Sequence, residues 1–180
     1  MWFKASTAYL VASAGFHILF QDADLVWLKD PIPHIQSFDA DMVFMDDGIR
    51  SPRFAPFFIN SGFYFFAYNP KSIFLQERFL RTAGEISHTH SHQQCFIRHI
   101  TETHYLFGLR IIVLDKFQFP SGFMYHHDKP YMRKIQTHEV FPYVYHMNFN
   151  DNRQQKVIIT LFFRFIDIHD LREEIKCYCR

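Results

Sequence analysis

Phe20-Gln21-Asp22-Ala23-Asp24-Leu25-Val26-Trp27-Leu28-Lys29-Asp30-Pro31 is the stretch from which this chain is best read. The apolar run that leads into it, residues 16–21, has the length and composition of a buried strand. That strand runs straight into two carboxylates one residue apart. Such a pair can reach a single divalent cation, and oxygen ligands suit Mg²⁺ or Mn²⁺, which keep open positions for phosphate oxygens. A metal held there would neutralise the charge of a nucleoside diphosphate leaving group. Taken alone, Asp-x-Asp more often marks a solvated turn. Pro31 and Pro33 then break the chain, because proline removes a donor and restricts its predecessor.

Working outward, helical and strand patterns alternate. Residues 2–14 read as a helix stopped by Gly15, and residues 41–45 as a strand ending in Asp46-Asp47-Gly48. Residues 62–68 read as an aromatic strand, 71–84 and 93–107 as helices, 110–114 and 143–146 as strands, and 153–168 as a helix. No repeat or linker interrupts the 180 residues, so one α/β domain is expected over 1–180. In open α/β sheets ligands gather at the carboxyl ends of strands. That directs attention to Asp22 and Asp24, to Asp46 and Asp47, and to His146.

Composition narrows the classes. Hydrophobic residues make up 48% and charged residues 21%, which excludes a disordered chain or a coiled coil. A net charge of +1 without a Lys/Arg run argues against a nucleic-acid partner. The apolar stretches are too short to span a bilayer, and no signal peptide opens the chain. The 23 phenylalanines suggest an aromatic core before they suggest a ligand wall. Cys95, Cys177 and Cys179 match neither a disulfide framework nor zinc spacing.

Other constellations have two readings each. His146, at a strand end, suits a third metal ligand or a hydrogen-bonded surface histidine. Lys156, near a helix start, suits a phosphate or plain solvent. Asn60-Ser61-Gly62 suits sugar hydroxyls and a close backbone approach, or an ordinary turn before a strand. His88-Thr89-His90-Ser91-His92 and His126-His127-Asp128 read as polar loops, and residues 99–104 lack the order of a zinc-peptidase helix.

Taken in order, these pieces resemble the nucleotide-diphospho-sugar transferases of glycosyltransferase family 77. There an Asp-x-Asp is followed by Val-Trp-Leu, a basic residue and Asp-Pro, as in residues 22–31. Ala40-Asp41-Met42-Val43 with Asp46-Asp47-Gly48, Asn60-Ser61-Gly62-Phe63, Phe119-Pro120-Ser121-Gly122, and His146-x-Asn148 with Lys156 continue the likeness in register, over residues 2–156.

The resemblance implies a partial GT-A-type fold, a mixed, mostly parallel sheet flanked by helices, whose opening strand precedes residue 2 and is absent here. It implies a retaining, metal-dependent glycosyltransferase that takes a sugar from a nucleotide donor, UDP by preference, to a glycan or glycoprotein acceptor. It places the protein in the Golgi lumen, membrane-associated through an anchor that this chain lacks. Asp22, Asp24 and His146 would hold Mn²⁺ or Mg²⁺. Asp22, Asn60, Ser61, Gly62, Asn148 and Lys156 would bind the donor. No general base is evident, since the donor phosphate can serve, and Gln94 is the one candidate for a catalytic side chain. The chain departs from the family at Gln93-Gln94, where Asp-Gln is usual, and at Asn152, where glycine is usual. The missing opening strand and Gln93 leave open an inactive, transferase-like nucleotide-binding module. The Asp and His cluster leaves open a metal-dependent phosphohydrolase.

Overall fold

The computed structural model describes residues 2–149. In chain order the elements are α1 (Trp2–Ser13), β1 (Ile18–Gln21), β2 (Leu25–Trp27), α2 (Ile32–Gln36), β3 (Met42–Asp46), β4 (Ile59–Phe66), α3 (Pro70–Leu80), α4 (Ala83–Thr89), α5 (His92–Phe107), β5 (Ile111–Val113), α6 (Gly122–His127), α7 (Lys129–Gln136) and β6 (Val144–His146). Two compact units emerge. Among the described residues, those up to 22 with 32–116 form one, and 23–31 with 117–149 form the other.

The first unit is a mixed sheet with helices packed on it, in the strand order β1-β4-β3-β5. β3 and β5 are parallel, while β4 is antiparallel to both β1 and β3. Three of the four strands therefore share one direction, as expected of a mixed, mostly parallel sheet. Aromatic residues fill its core. Phe44 meets Phe96 edge-on at 5.9 Å, Phe79 lies 4.7 Å from Phe96, and Phe20 stacks on Tyr64 at 5.1 Å. Met42, Ile59, Phe66, Leu75, Ile97 and Ile100 complete it.

Helix termini follow local chemistry. Asn69 caps α3, its side chain accepting from the N–H groups of Lys71 and Ser72, with Pro70 in the first turn. Ser91 caps α5 through Gln94 N–H, and Gly108 closes it at φ +63°. Asp41 ties β3 to the start of β5, accepting from Arg110 N–H at 2.8 Å.

The second unit joins β2 to β6 in an antiparallel pair, Leu25 opposite His146 and Trp27 opposite Val144. Tyr145 and Met147 pack with Met124, Tyr131, Met132 and Ile135 of α6 and α7. Asp128 caps α7 through Tyr131 N–H.

Several expected boundaries move. The aromatic strand begins at Ile59, so Asn60-Ser61-Gly62 lies inside β4 and not before it. The register against β3 jumps there: Phe44 faces Tyr64 but Met45 faces Asn60, which leaves residues 61–63 outside the β3 ladder. Bulges of this kind re-aim side chains. The helix expected over 71–84 stops at Leu80, and Gly84 belongs to α4. His88 lies in α4, His90 is left-handed at φ 54° and His92 is in α5, so this run is not one loop. His126 and His127 end α6 instead of forming a loop. The helix expected over 153–168, together with Lys156 and Asn152, lies outside the described residues. No helix among the described residues is long and apolar enough to cross a membrane.

Candidate donor and metal site

In the second unit, β2 and β6 bring Asp24 and His146 together. The N–H of Met147 donates to the carbonyl of Asp24 at 2.9 Å, and that of His146 donates to the carbonyl of Pro120 at 3.0 Å. Held from both sides, the imidazole Nε2 sits 3.3 Å from Asp24 Oδ1. His146 is 3% exposed and its Nδ1 has no hydrogen-bond partner among the described residues. Two ligands of an octahedral cation, each at about 2.1 Å, sit about 3 Å apart. The spacing and the donor types therefore fit a hard divalent ion.

Asn148, two residues on, spends its Oδ1 on the N–H of Gly122 at 2.8 Å. Gly122 tolerates no side chain there. An added Cβ would stand 1.6 Å from the carbonyl oxygen of Asn148. This close approach explains the glycine in Phe119-Pro120-Ser121-Gly122.

Asp22 ends the first segment of the sheet unit. Its N–H extends the β1–β4 ladder by donating to the carbonyl of Gly62 at 2.7 Å. Its carboxylate accepts from Lys4 Nζ at 2.8 Å, and that ammonium also lies over the Phe20 ring.

The bulged end of β4 is a buried polar network. Asp47 Oδ1 accepts from Asn60 Nδ2 at 2.9 Å and from Gln93 Nε2 at 3.1 Å. Gln93 Oε1 accepts from both the N–H and the hydroxyl of Ser61, each at 3.1 Å. Ser61 Oγ lies 2.9 Å from His92 Nε2. Asn60 Oδ1 accepts from Gly62 N–H at 2.7 Å, closing the bulge. Asn60 and Ser61 are 5% and 4% exposed. Burial holds the His92 ring neutral, its pKa lowered to about 4, with Lys4 adding to the effect and Asp22 opposing it.

The adjacent glutamines thus part ways. Gln93 belongs to the network, while Gln94 lines a cavity of about 510 Å³ with Arg53, His88 and Arg98. The partnerships of Asp47, His92 and Gln93 escape a reading by motif. Their only signal is a cluster of polar residues at a strand end and a helix start, which the fold alone brings into contact.

Over 84 residues the chain is 28% identical to the beta-arabinofuranosyltransferase RAY1 of Arabidopsis thaliana, a match covering 45% of this chain and 16% of that protein. The crystal structure of the glycosyltransferase GlyE from Streptococcus pneumoniae TIGR4 aligns with 83% of this chain and 40% of its own, at 14% identity and a TM-score of 0.48. The chain spans less than half the length of either protein. The family model for nucleotide-diphospho-sugar transferases matches residues 1–158, which include every candidate site residue named above. The chain belongs to the nucleotide-diphospho-sugar transferase family.

Proposed function

We propose that this chain is the donor- and metal-binding part of a glycosyltransferase that moves a sugar from a nucleoside diphosphate, UDP by preference, to a glycan or glycoprotein acceptor. The observation that carries this reading is the 3.3 Å approach of Asp24 Oδ1 and His146 Nε2 at the joined ends of β2 and β6, in a chain matched by a nucleotide-sugar transferase family model. Asp24 and His146 would hold Mn²⁺ or Mg²⁺. The cation supplies positive charge where negative charge develops on the departing diphosphate.

The chain's own groups do the rest. The backbone of His146 is fixed by the bond from its N–H to the Pro120 carbonyl and its side chain is buried, which limits the ordering left to do when an ion binds. Within the sheet unit, the β4 bulge and its polar network hold in shape the strand end that carries Asn60, Ser61 and Gly62. Lys156 meets a diphosphate oxygen. Transfer with retention, and a place in the Golgi lumen reached through a membrane anchor, follow from the family resemblance. The name of the plant relative makes arabinofuranose one sugar to include among the donors screened.

Calorimetric titration of UDP, with and without Mn²⁺, into the wild-type chain and Asp24→Ala tests the reading. Binding that needs Mn²⁺ and disappears in Asp24→Ala supports it. Binding that survives the substitution rejects the assignment of Asp24.

A further inference from the structure

The hydrogen bonds at the end of β4 run in one direction, and the direction follows from the chemistry of the partners. A carboxylate accepts and does not donate. Asp47 therefore requires the Nε2 end of the Gln93 amide, which lies 3.1 Å from its Oδ1. The reverse orientation would set an amide oxygen against a carboxylate. With Nε2 committed, Oε1 faces Ser61 and takes both its N–H and its O–H. A serine hydroxyl has one hydrogen. Once that hydrogen is on Gln93, the 2.9 Å contact between Ser61 Oγ and His92 Nε2 is made by the imidazole, which carries its proton on Nε2. The order of donation is His92 to Ser61 to Gln93 to Asp47. Asn60 joins at the far end, donating to the same oxygen of Asp47.

Resting on the transferase reading above, we propose that Gln93 is a positioning residue of the donor-sugar pocket: its amide, oriented by Asp47, holds Ser61 in the β4 bulge and fixes His92 as the Nε2–H tautomer. Ser61 and Asn60 are too buried, and too fully committed to one another's neighbours, to be the first groups a sugar meets. Their work is to hold the strand end in shape, and Gln93 is the member that links them to α5.

At neutral pH an amide suits this position and a carboxylate does not. The side chain must donate at one end and accept twice at the other. A carboxylate at 93, the residue type usual in the family resembled, would lie against Asp47 and would have to share a proton with it. The charged groups around this bond chain are Lys4 and Asp22 on the His92 side and Arg50 on the Asp47 side.

The ring nitrogens of His92, observed by ¹⁵N NMR in the ligand-free chain, report the direction of the bonds without any substrate. The expected result at neutral pH is a neutral imidazole in the Nε2–H form alone. An Nδ1–H form, or a mixture of the two, overturns the assignment. Gln93→Leu and Gln93→Glu are then titrated with UDP and with a set of UDP-sugars (galactose, glucose, xylose and arabinofuranose), and the tightest-binding sugar nucleotide is compared with UDP.

Gln93→Leu is expected to mix the His92 tautomers and to weaken the sugar nucleotide about tenfold while leaving UDP within about twofold. Gln93→Glu is expected to behave similarly at neutral pH and to recover in mild acid, where a protonated carboxyl again donates to Asp47 and accepts from Ser61. Equal losses for UDP and the sugar nucleotide, or no acid recovery, reject a role in positioning the sugar. If the wild-type chain shows the Nε2–H form but binds no nucleotide, the transferase reading fails and takes the donor role of Gln93 with it.

Discussion

His146 Nε2 lies 3.3 Å from Asp24 Oδ1, and the strand pairing that sets this distance also ties Met147 N–H to the Asp24 carbonyl. Asp24 is thus a partner for a buried imidazole and, in the proposed function, also a charged oxygen ligand. Asp24→Asn keeps a side-chain oxygen for the imidazole but loses the charge. Its unfolding free energy is expected to stay within about 1 kcal/mol of wild type, while Mn²⁺-dependent UDP binding is lost. Asp24→Ala removes both roles, leaves a buried Nε2 without this partner and is expected to cost about 1–3 kcal/mol in urea unfolding. Equal stability loss in the two variants would mean that the pair is not held by this contact.

Gly122 sits where the chain leaves no room. A Cβ there would be 1.6 Å from the carbonyl oxygen and 2.7 Å from the carbonyl carbon of Asn148. These are backbone atoms, so neither can swing aside as a side chain would. Gly122→Ala is expected to destabilise the chain by about 3 kcal/mol or more. Asn148→Ala, which deletes only the side-chain bond to Gly122 N–H, is expected to cost about 1 kcal/mol. Urea unfolding of both variants separates the clash from the cap, and a neutral Gly122→Ala would show that the loop before α6 relaxes.

Part of this was legible from the chain itself. α1, β1, β3, α5, β5 and β6 fall close to their expected ranges, because each combines a clear period with a Gly, Pro or acidic stop. Asp24 and His146 could be nominated together only through the ordered motifs. The pairing that brings them to 3.3 Å is non-local, and Leu25-Val26-Trp27 alone is too short to announce a strand. The start of β4 was misplaced because a bulge is a property of two strands, and Asn60-Ser61-Gly62 has the composition of a turn. α6 and α7 were missed for a similar reason: short, rich in histidine and interrupted by Pro130, they carry no long helical period. In the sequence Gln93 is only a departure from the Asp-Gln usual in the family resembled. Only the fold shows the carboxylate of Asp47 waiting for an amide.

Asp41 is a heavily committed carboxylate. It accepts from Arg110 N–H at 2.8 Å, from Arg110 Nη2 at 3.1 Å and from Asn69 Nδ2 at 3.1 Å, with Lys71 Nζ 4.0 Å away. Burial on its own pushes its pKa up, and the Arg110 hydrogen bonds and the nearby positive charges outweigh it, leaving the pKa below the ordinary 3.8. A depressed folded-state pKa contributes stability that is complete above the unfolded value and lost as pH falls through the folded one. Asp41→Ala is expected to cost about 1–3 kcal/mol at neutral pH by leaving the Arg110 N–H and Asn69 Nδ2 without this acceptor. Asp41→Asn is expected to flatten the acid limb of the stability curve below the ordinary carboxylate range. Acid titration of the unfolding midpoint checks both, and an unchanged acid limb in Asp41→Asn would remove Asp41 from the account.

His92 acts with the same sign, in a higher pH window. Its folded pKa is lowered to about 4 from 6.5, first by burial and then by Lys4. The unfolded chain therefore takes up the proton first, and stability declines as pH falls from 6.5 toward 4, below which both states are protonated. The slope from one such proton cannot exceed about 1.4 kcal/mol per pH unit, and the partial exposure of the ring reduces it. His99, also lowered by burial and by Arg98 and Arg78, adds a decline of the same sign. His92→Gln keeps a donor for Ser61 but has nothing to titrate, so subtracting its stability profile from that of wild type cancels the His99 contribution. The expected difference is flat above pH 6.5 and falls steadily toward pH 4. A difference that stays flat through that window would mean that His92 is as accessible to protons in the folded chain as in the unfolded one, and that burial at the β4 bulge does not hold it neutral.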